Sequence, residues 1–121
     1  MSVNPTADTF ARFQDEDDGG PVVMLNLLRF AGQEGREQYA RYAAGVGPFL
    51  ERVGASVLYA GACSTLLVGA EAHRWDAVLV VRYPSRTAFA QMVSDPDYLK
   101  VSELRTSALE AAVLEATTPW G

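Results

Sequence analysis

Apolar residues repeat along this chain with two different spacings, and the change from one to the other predicts the order of its elements. Residues 22–30 are almost continuously apolar, and residues 74–83 alternate between apolar and polar positions, so both segments are predicted to be strands. Residues 55–73, just before the second of these, are predicted to form a further strand. Between residues 33 and 54 the apolar positions recur every three or four residues, which predicts a long amphipathic helix.

The rest of the chain is predicted to contain three shorter helices and a last strand. Residues 84–96 and 97–109 read as two helical segments separated at Asp95-Pro96, because a proline forces the residue before it out of the helical conformation. Asp97 is expected to cap the second of these, and residues 110–118 to form the closing strand. A helix capped by Asn4 and followed by an acidic loop is predicted before all of them. We therefore divide the chain into an N-terminal helix and acidic loop, 1–20, and one domain, 21–121.

The order helix, then β-α-β-β-α-β, predicts an α+β fold of ferredoxin-like type, with an antiparallel sheet and the helices on one of its faces. The alternation within 22–30 places Asn26 on one face of the sheet and Leu25 and Leu27 on the other. With Val78 and Val80, the second face is too apolar to be left in water. We therefore predict a homodimer formed through the sheet faces.

Composition excludes several classes of partner. The chain has 121 residues, which is typical of one domain, and a formal net charge of −5. That charge argues against binding of nucleic acid and of anionic membrane surfaces, and no apolar run is long enough to span a bilayer. Cys63 is the single cysteine and cannot form a disulfide within the chain, which favours a reducing compartment, the cytoplasm.

Three stretches resemble the family known as domain of unknown function 1330, within the dimeric α+β barrel superfamily. They are "GPVVMLNLLRF", "RWDAVLVVRYPSRTAFAQMVSDPDY" and "LRTSAL", and the resemblance covers about residues 20 to 118. It implies a homodimer whose two sheets form a shared barrel, with a ligand pocket between sheet and helices in each subunit. Relatives in the superfamily include cofactor-free oxygenases, lactone isomerases and haem-handling proteins, so the resemblance implies no single activity.

The candidate pocket residues are polar or aromatic side chains that the spacing brings over one patch of the sheet. If the Asn26 face meets the helices, its amide points at the tyrosines of the long helix, and two residues seven apart on the last helix share a side. An amide, phenols and a guanidinium in apolar surroundings suit a ligand with a carboxylate or carbonyl group. The candidates are Asn26, Tyr39, Tyr42, Trp75, Tyr98 and Arg105.

Each candidate also has a purely structural interpretation. Asn26 would then tie down a backbone group or a buried water, Trp75 would be a core aromatic, and Arg105 would be exposed or ion-paired. For the tyrosines the alternative is packing with the hydroxyl at the surface. His73, the only histidine, is a weaker candidate, because it is predicted to lie in a polar loop.

Three functions remain open at this point. The first is a cofactor-independent enzyme, of oxygenase or isomerase type, acting on a small carbonyl-bearing or aromatic compound. The second is a non-catalytic binding or sensor protein with the same pocket. The third, a haem-handling protein, depends on His73 alone and is the weakest. We expect no metal site and no cofactor, because no set of ligands occurs at metal-binding spacing.

Overall fold

Strands and helices follow one another in the predicted order. The computed structural model describes residues 3–120. Its helices are α1 (Ala7–Asp15), α2 (Gly32–Arg52), α3 (Arg86–Ser94) and α4 (Pro96–Ala108), and its strands are β1 (Val22–Phe30), β2 (Ser56–Ala62), β3 (Ala77–Tyr83) and β4 (Leu109–Thr117). The strands form one sheet in the order β2-β3-β1-β4, and every neighbouring pair is antiparallel. The predicted α+β, ferredoxin-like topology is therefore confirmed.

One face of the sheet carries the main hydrophobic core. Val22 and Met24 of β1 are buried in it, and the register places Val81 of β3 opposite Met24. Leu28 is buried in a smaller cluster with Ala108 and Leu109. The helices complete the main core with Tyr42, Val46, Phe89, Met92 and Tyr98. Side chains two residues apart in a strand share a face, so the even-numbered residues of β1 are the ones that meet the helices.

The other face of the sheet remains half-exposed in the single chain. Leu25, Leu27, Val78 and Val80 are neither buried nor fully exposed, and no helix within residues 3–120 packs over them. On the edge strand β2, Tyr59 is 58% exposed. A sheet face this apolar is a candidate protein–protein interface.

The helix α1 packs on the same core as the main domain. Its Phe13 is buried, and the ring lies 5.3 Å from that of Phe89 in α3, in an edge-to-face arrangement. The predicted cap of this helix is wrong. Thr6, not Asn4, accepts the hydrogen bond from the backbone N–H of Thr9, because the Asn4 side chain is held by α4 instead.

Three other predicted boundaries need correction. The second strand ends at Ala62 rather than at residue 73, and the third begins at Ala77 rather than at residue 74. Asp76 ends the ladder, because its backbone N–H donates to the Leu28 carbonyl while its carboxylate accepts from Phe30 N–H. The cap of α4 is Asp95 rather than Asp97, since the residue before a proline is extended, as a cap must be.

None of the helices within residues 3–120 is both long and apolar enough to cross a membrane.

Candidate functional site

A cavity of about 760 Å³ lies between the helix-facing side of the sheet and the helices. Its floor is mostly aliphatic and comes from Met24, Leu79, Val81 and Leu114. All four helices line its walls, and the segment Asn4 to Ala7 closes one side. The volume is in the range of pockets that hold small organic molecules. We call this space the cavity.

Asn26 is the only polar side chain that β1 presents to the cavity. Its neighbours across the sheet are Leu79 of β3 and Leu114 of β4, so the amide stands in an aliphatic floor. Its one side-chain hydrogen bond within residues 3–120 runs from Nδ2 to the Met24 carbonyl over 3.5 Å, which is the outer limit for such a bond. Most of the hydrogen-bonding capacity of the amide is therefore available to a molecule in the cavity.

Two tyrosines from different helices form a hydrogen-bonded pair in the cavity wall. The hydroxyls of Tyr42 in α2 and Tyr98 in α4 are 2.9 Å apart, and both side chains are buried. The two helices approach closely because Gly35 of α2 leaves room for the Ala108 carbonyl, where any side chain would collide. One hydroxyl donates to the other, so the pair retains one O–H that can donate to a ligand oxygen.

Arg105 lies in the same wall and is 8% exposed. Its Nη1 donates to the Val3 carbonyl at 2.7 Å and to Asn4 Oδ1 at 3.2 Å. Its Nη2 is buried and has no hydrogen-bond partner within residues 3–120. Among residues 3–120 the guanidinium is therefore neither exposed nor ion-paired, which were the two structural interpretations considered from the sequence.

Three tyrosines that line the cavity, Tyr39, Tyr42 and Tyr83, stay protonated at neutral pH. Burial is the main cause that raises the pKa of Tyr39, of Tyr42 and of Tyr83 above the usual tyrosine value. The positive charge of Arg105 opposes this effect on the pKa at all three. These phenols therefore act as hydrogen-bonding groups and not as counterions for Arg105.

Five of the six residues predicted from sequence line the cavity, namely Asn26, Tyr39, Tyr42, Tyr98 and Arg105. Trp75 is not among the lining residues. It precedes β3, and the Arg29 guanidinium lies 4.7 Å from its ring centre while donating to the Arg74 carbonyl. Because Arg29 belongs to the face of β1 turned away from the helices, Trp75 is held at that side of the sheet.

His73 and Cys63 lie outside the cavity as well. His73 ends a 3₁₀ turn, Glu71–His73, where it is exposed and its Nδ1 accepts a hydrogen bond from the backbone N–H of Ala70. Cys63 is exposed too. Within residues 3–120 no three histidine, cysteine, aspartate or glutamate side chains come together as a set of metal ligands.

Sequence reasoning missed two parts of the cavity. Tyr83 lines it, and the register could have indicated this, since residues 79, 81 and 83 share the Asn26 face once β1 and β3 are paired. The segment from Asn4 to Ala7 and the Phe10 side of α1 also line it. Nothing in the hydrophobic pattern of that segment indicates where it packs, so this part could only come from the structure.

Two comparisons relate the chain to known proteins. The family model described as "Domain of unknown function (DUF1330)" matches residues 32–116. A crystal structure of a protein of unknown function from Rhodopseudomonas palustris is 35% identical, with a TM-score of 0.91, and the match covers 99% of this chain and 98% of that one. No protein with a curated description matches the chain.

More distant solved structures share only the fold. A dimeric ferredoxin-like protein of unknown function from Jannaschia is 8% identical, with a TM-score of 0.64, over 83% of this chain and all of that one. A putative antibiotic biosynthesis monooxygenase from Bacteroides thetaiotaomicron is 19% identical, with a TM-score of 0.59, over 83% of this chain and 90% of that one.

Proposed function

Because the chain belongs to the DUF1330 family, whose description names no reaction, we propose a function from the site itself. The protein binds a small carbonyl-bearing or aromatic organic compound in the cavity of each subunit of a homodimer. The observation that carries this proposal is the convergence of Asn26, the Tyr42–Tyr98 pair and Arg105 on one mainly apolar cavity. Apolar walls with a few fixed polar groups are the usual composition of small-molecule sites.

The homodimer is supported by the outer face of the sheet, which pairs Leu27 of β1 with Val78 of β3 and Val113 of β4. The Jannaschia protein with the same fold is described as dimeric. We propose an interface of at least roughly 1,000 Å² in total, the size of a specific contact. Light scattering at micromolar concentration tests it, with twice the chain mass expected and a monomer mass contradicting it.

The exposed single cysteine, Cys63, agrees with a cytoplasmic location, which we also propose.

Ligand binding can be tested by blocking the cavity. Gly47 lines it, and a Cβ built at that position meets no other atom within 4 Å, so larger residues fit locally. A library of small aromatic and carbonyl compounds should contain some that raise the melting temperature of the natural protein. Gly47→Trp should abolish those shifts, whereas the matched control Gly47→Ala should keep them. Compounds that stabilise both variants equally, or a library without any stabilising compound, would contradict the proposal.

Catalysis and simple binding remain separate alternatives within this proposal. For catalysis, the pair Tyr42–Tyr98 offers one O–H that can donate to a carbonyl oxygen on which negative charge develops. The likeness to the putative monooxygenase supports an oxygenase at the level of fold only. Incubating each stabilising compound with the protein in air distinguishes the two, with oxygen uptake and product mass measured for an oxygenase and the chromatographic retention of the compound measured for an isomerase. Conversion that Tyr98→Phe slows indicates an enzyme, and unchanged compound indicates a binding or sensor protein.

A further inference from the structure

Arg105 carries a charge that no carboxylate among residues 3–120 compensates. The side chain is more than nine-tenths buried, and its Nη2 has no hydrogen-bond partner within residues 3–120. Its two partners, the Val3 carbonyl and the Asn4 amide oxygen, are neutral and engage only Nη1. The ion pairs within that range join Arg52, Arg74 and Lys100 to carboxylates and leave Arg105 out. A buried guanidinium without an anion is costly, since burial removes its hydration.

The groups around Arg105 cannot supply the missing negative charge themselves. Tyr39, Tyr42 and Tyr83 line the same cavity as Arg105. Burial raises the pKa of each, so they remain neutral phenols at physiological pH. The other polar residues that line the cavity are Asn4, Thr6, Asn26, Ser94, Tyr98 and Ser102. Among residues 3–120 no aspartate or glutamate lines it.

From this arrangement we infer that the compound bound in the cavity is an organic acid, whose carboxylate pairs with Arg105 while its apolar body lies over the aliphatic floor. The inference rests on the proposed small-molecule function and narrows it to one ligand class. Arginine suits the role because its planar fork matches a carboxylate. Val3 and Asn4 hold Nη1, so Nη2 is the terminal nitrogen left to pair with a carboxylate oxygen of the bound compound. The phenol pair would then donate its remaining O–H to the same group.

A neighbouring arginine provides a matched control. Arg86 is 9% exposed, and its Nη1 donates to the Phe13 carbonyl at 2.8 Å. Its guanidinium also lies 4.7 Å from the Phe13 ring centre. Like Arg105 it has no carboxylate within ion-pair distance among residues 3–120. Unlike Arg105, it does not line the cavity but a second pocket beside α1.

The test compares acids with amides of the same shape by isothermal titration calorimetry at neutral pH. The probes are benzoate with benzamide, 2-naphthoate with 2-naphthamide, and octanoate with octanamide. For at least one pair the natural protein should bind the acid about tenfold to a hundredfold more tightly, the scale of a charge-assisted hydrogen bond. Arg105→Met should remove this preference and leave amide affinity within about twofold, and Arg86→Met should keep the preference.

Every other result of these titrations also decides between the two proposals. Amides that bind as tightly as acids, with binding blocked by Gly47→Trp, would overturn the organic-acid inference and leave the proposed function intact. A preference that survives Arg105→Met would overturn the role of Arg105. Binding of no member of any pair at millimolar concentration would count against both proposals. If Arg105→Met fails to fold, the acid–amide comparison in the natural protein still decides, and Arg105→Lys, which keeps the charge, should retain part of the preference.

Discussion

Asn26, Leu27 and Leu28 follow one another in β1, yet the two faces of the sheet give them different surroundings. Leu28 faces the helices and is fully buried, and Asn26 faces them too but borders the cavity. Leu27 points to the other face, where no helix within residues 3–120 covers it. The helix-facing side thus combines close packing with a mainly apolar cavity that holds a few polar groups, whereas the outer side is apolar and, within residues 3–120, not covered by a helix.

The difference indicates that the two faces have separate tasks. Within residues 3–120 the Asn26 amide makes one long side-chain hydrogen bond, so it contributes little to folding and its presence favours recognition of a ligand. Apolar side chains in water contribute nothing unless they are covered, so the outer face favours a second copy of the chain. Substitutions at three consecutive positions can therefore separate assembly, stability and binding.

The largest effect is expected at Leu27. Leu27→Asp places one carboxylate from each copy in the apolar interface, and the twofold symmetry doubles the penalty. We expect the dimer to weaken by about 4 kcal/mol or more, which is roughly a thousandfold, with the monomer retaining its circular dichroism spectrum. Light scattering over a dilution series measures this.

The control for Leu27 puts the same charge on the exposed surface of α2. Ala40→Asp should leave the dimer intact, because Ala40 is exposed and lies on a helix. A Leu27→Asp protein that still sediments as a dimer would place the subunit contact elsewhere than on this face.

The next effect concerns Leu28, one residue further along. Leu28→Ala removes a fully buried side chain and should lower the free energy of unfolding by about 2–5 kcal/mol. Urea unfolding measures it. Leu67, 89% exposed, provides the control, since Leu67→Ala should change stability by less than about 0.5 kcal/mol. A loss below about 1 kcal/mol at Leu28 would mean that the core closes over the missing atoms.

Most of the fold could be predicted from the sequence because strands and helices differ in hydrophobic period. The strand over residues 22–30 was placed without error, and its alternation assigned Asn26 and Leu27 to the correct faces. The errors arose where tertiary contacts override local pattern. Apolar residues such as Leu67 and Val68 extended the second predicted strand, yet they lie in an exposed loop.

The cavity was predictable only in part, for a related reason. Helical spacing correctly predicted that Tyr98 and Arg105 share one side of α4, and strand alternation predicted that Asn26 faces the same cavity. Trp75 was placed in the pocket because the third strand was extended backwards to residue 74, whereas Arg29 holds the chain there in another conformation. The hydrogen bonds from Arg105 to Val3 and Asn4 span about a hundred residues, and no local pattern encodes them.

A smaller effect is expected at Asn26. If the amide holds an oxygen of a bound compound, Asn26→Leu should weaken binding of the best library compound by about 1–3 kcal/mol. The melting temperature should change little, because the only side-chain hydrogen bond lost is the 3.5 Å contact with Met24. Calorimetric titration and a thermal melt give the two values. The opposite pattern, a lower melting temperature with unchanged affinity, would mean that the amide stabilises the fold through its hydrogen bond to the backbone.

The last prediction concerns how completely water is excluded from the helix-facing side of the sheet. Burial, with the neighbouring Tyr98 adding to it, raises the pKa of Tyr42, whereas the unfolded chain ionises its tyrosines near pH 10. Above that pH the unfolded state binds fewer protons than the folded state, so the stability that is complete below about pH 10 falls as the pH rises. The loss is about 1.4 kcal/mol per pH unit for each such tyrosine.

Tyr42→Phe removes one of these groups and should therefore flatten the decline. Between about pH 10 and pH 11 its free energy of unfolding should fall by about 1 kcal/mol less than that of the natural protein, because the unfolded tyrosine is only half ionised at the start of this range. Between about pH 7 and pH 9 the two proteins should differ by a constant amount, which measures the lost hydrogen bond to Tyr98. Urea unfolding at each pH tests this. Parallel curves up to pH 11 would mean that Tyr42 ionises as easily in the folded chain as in water, and so that the cavity wall is wet where the structure buries it.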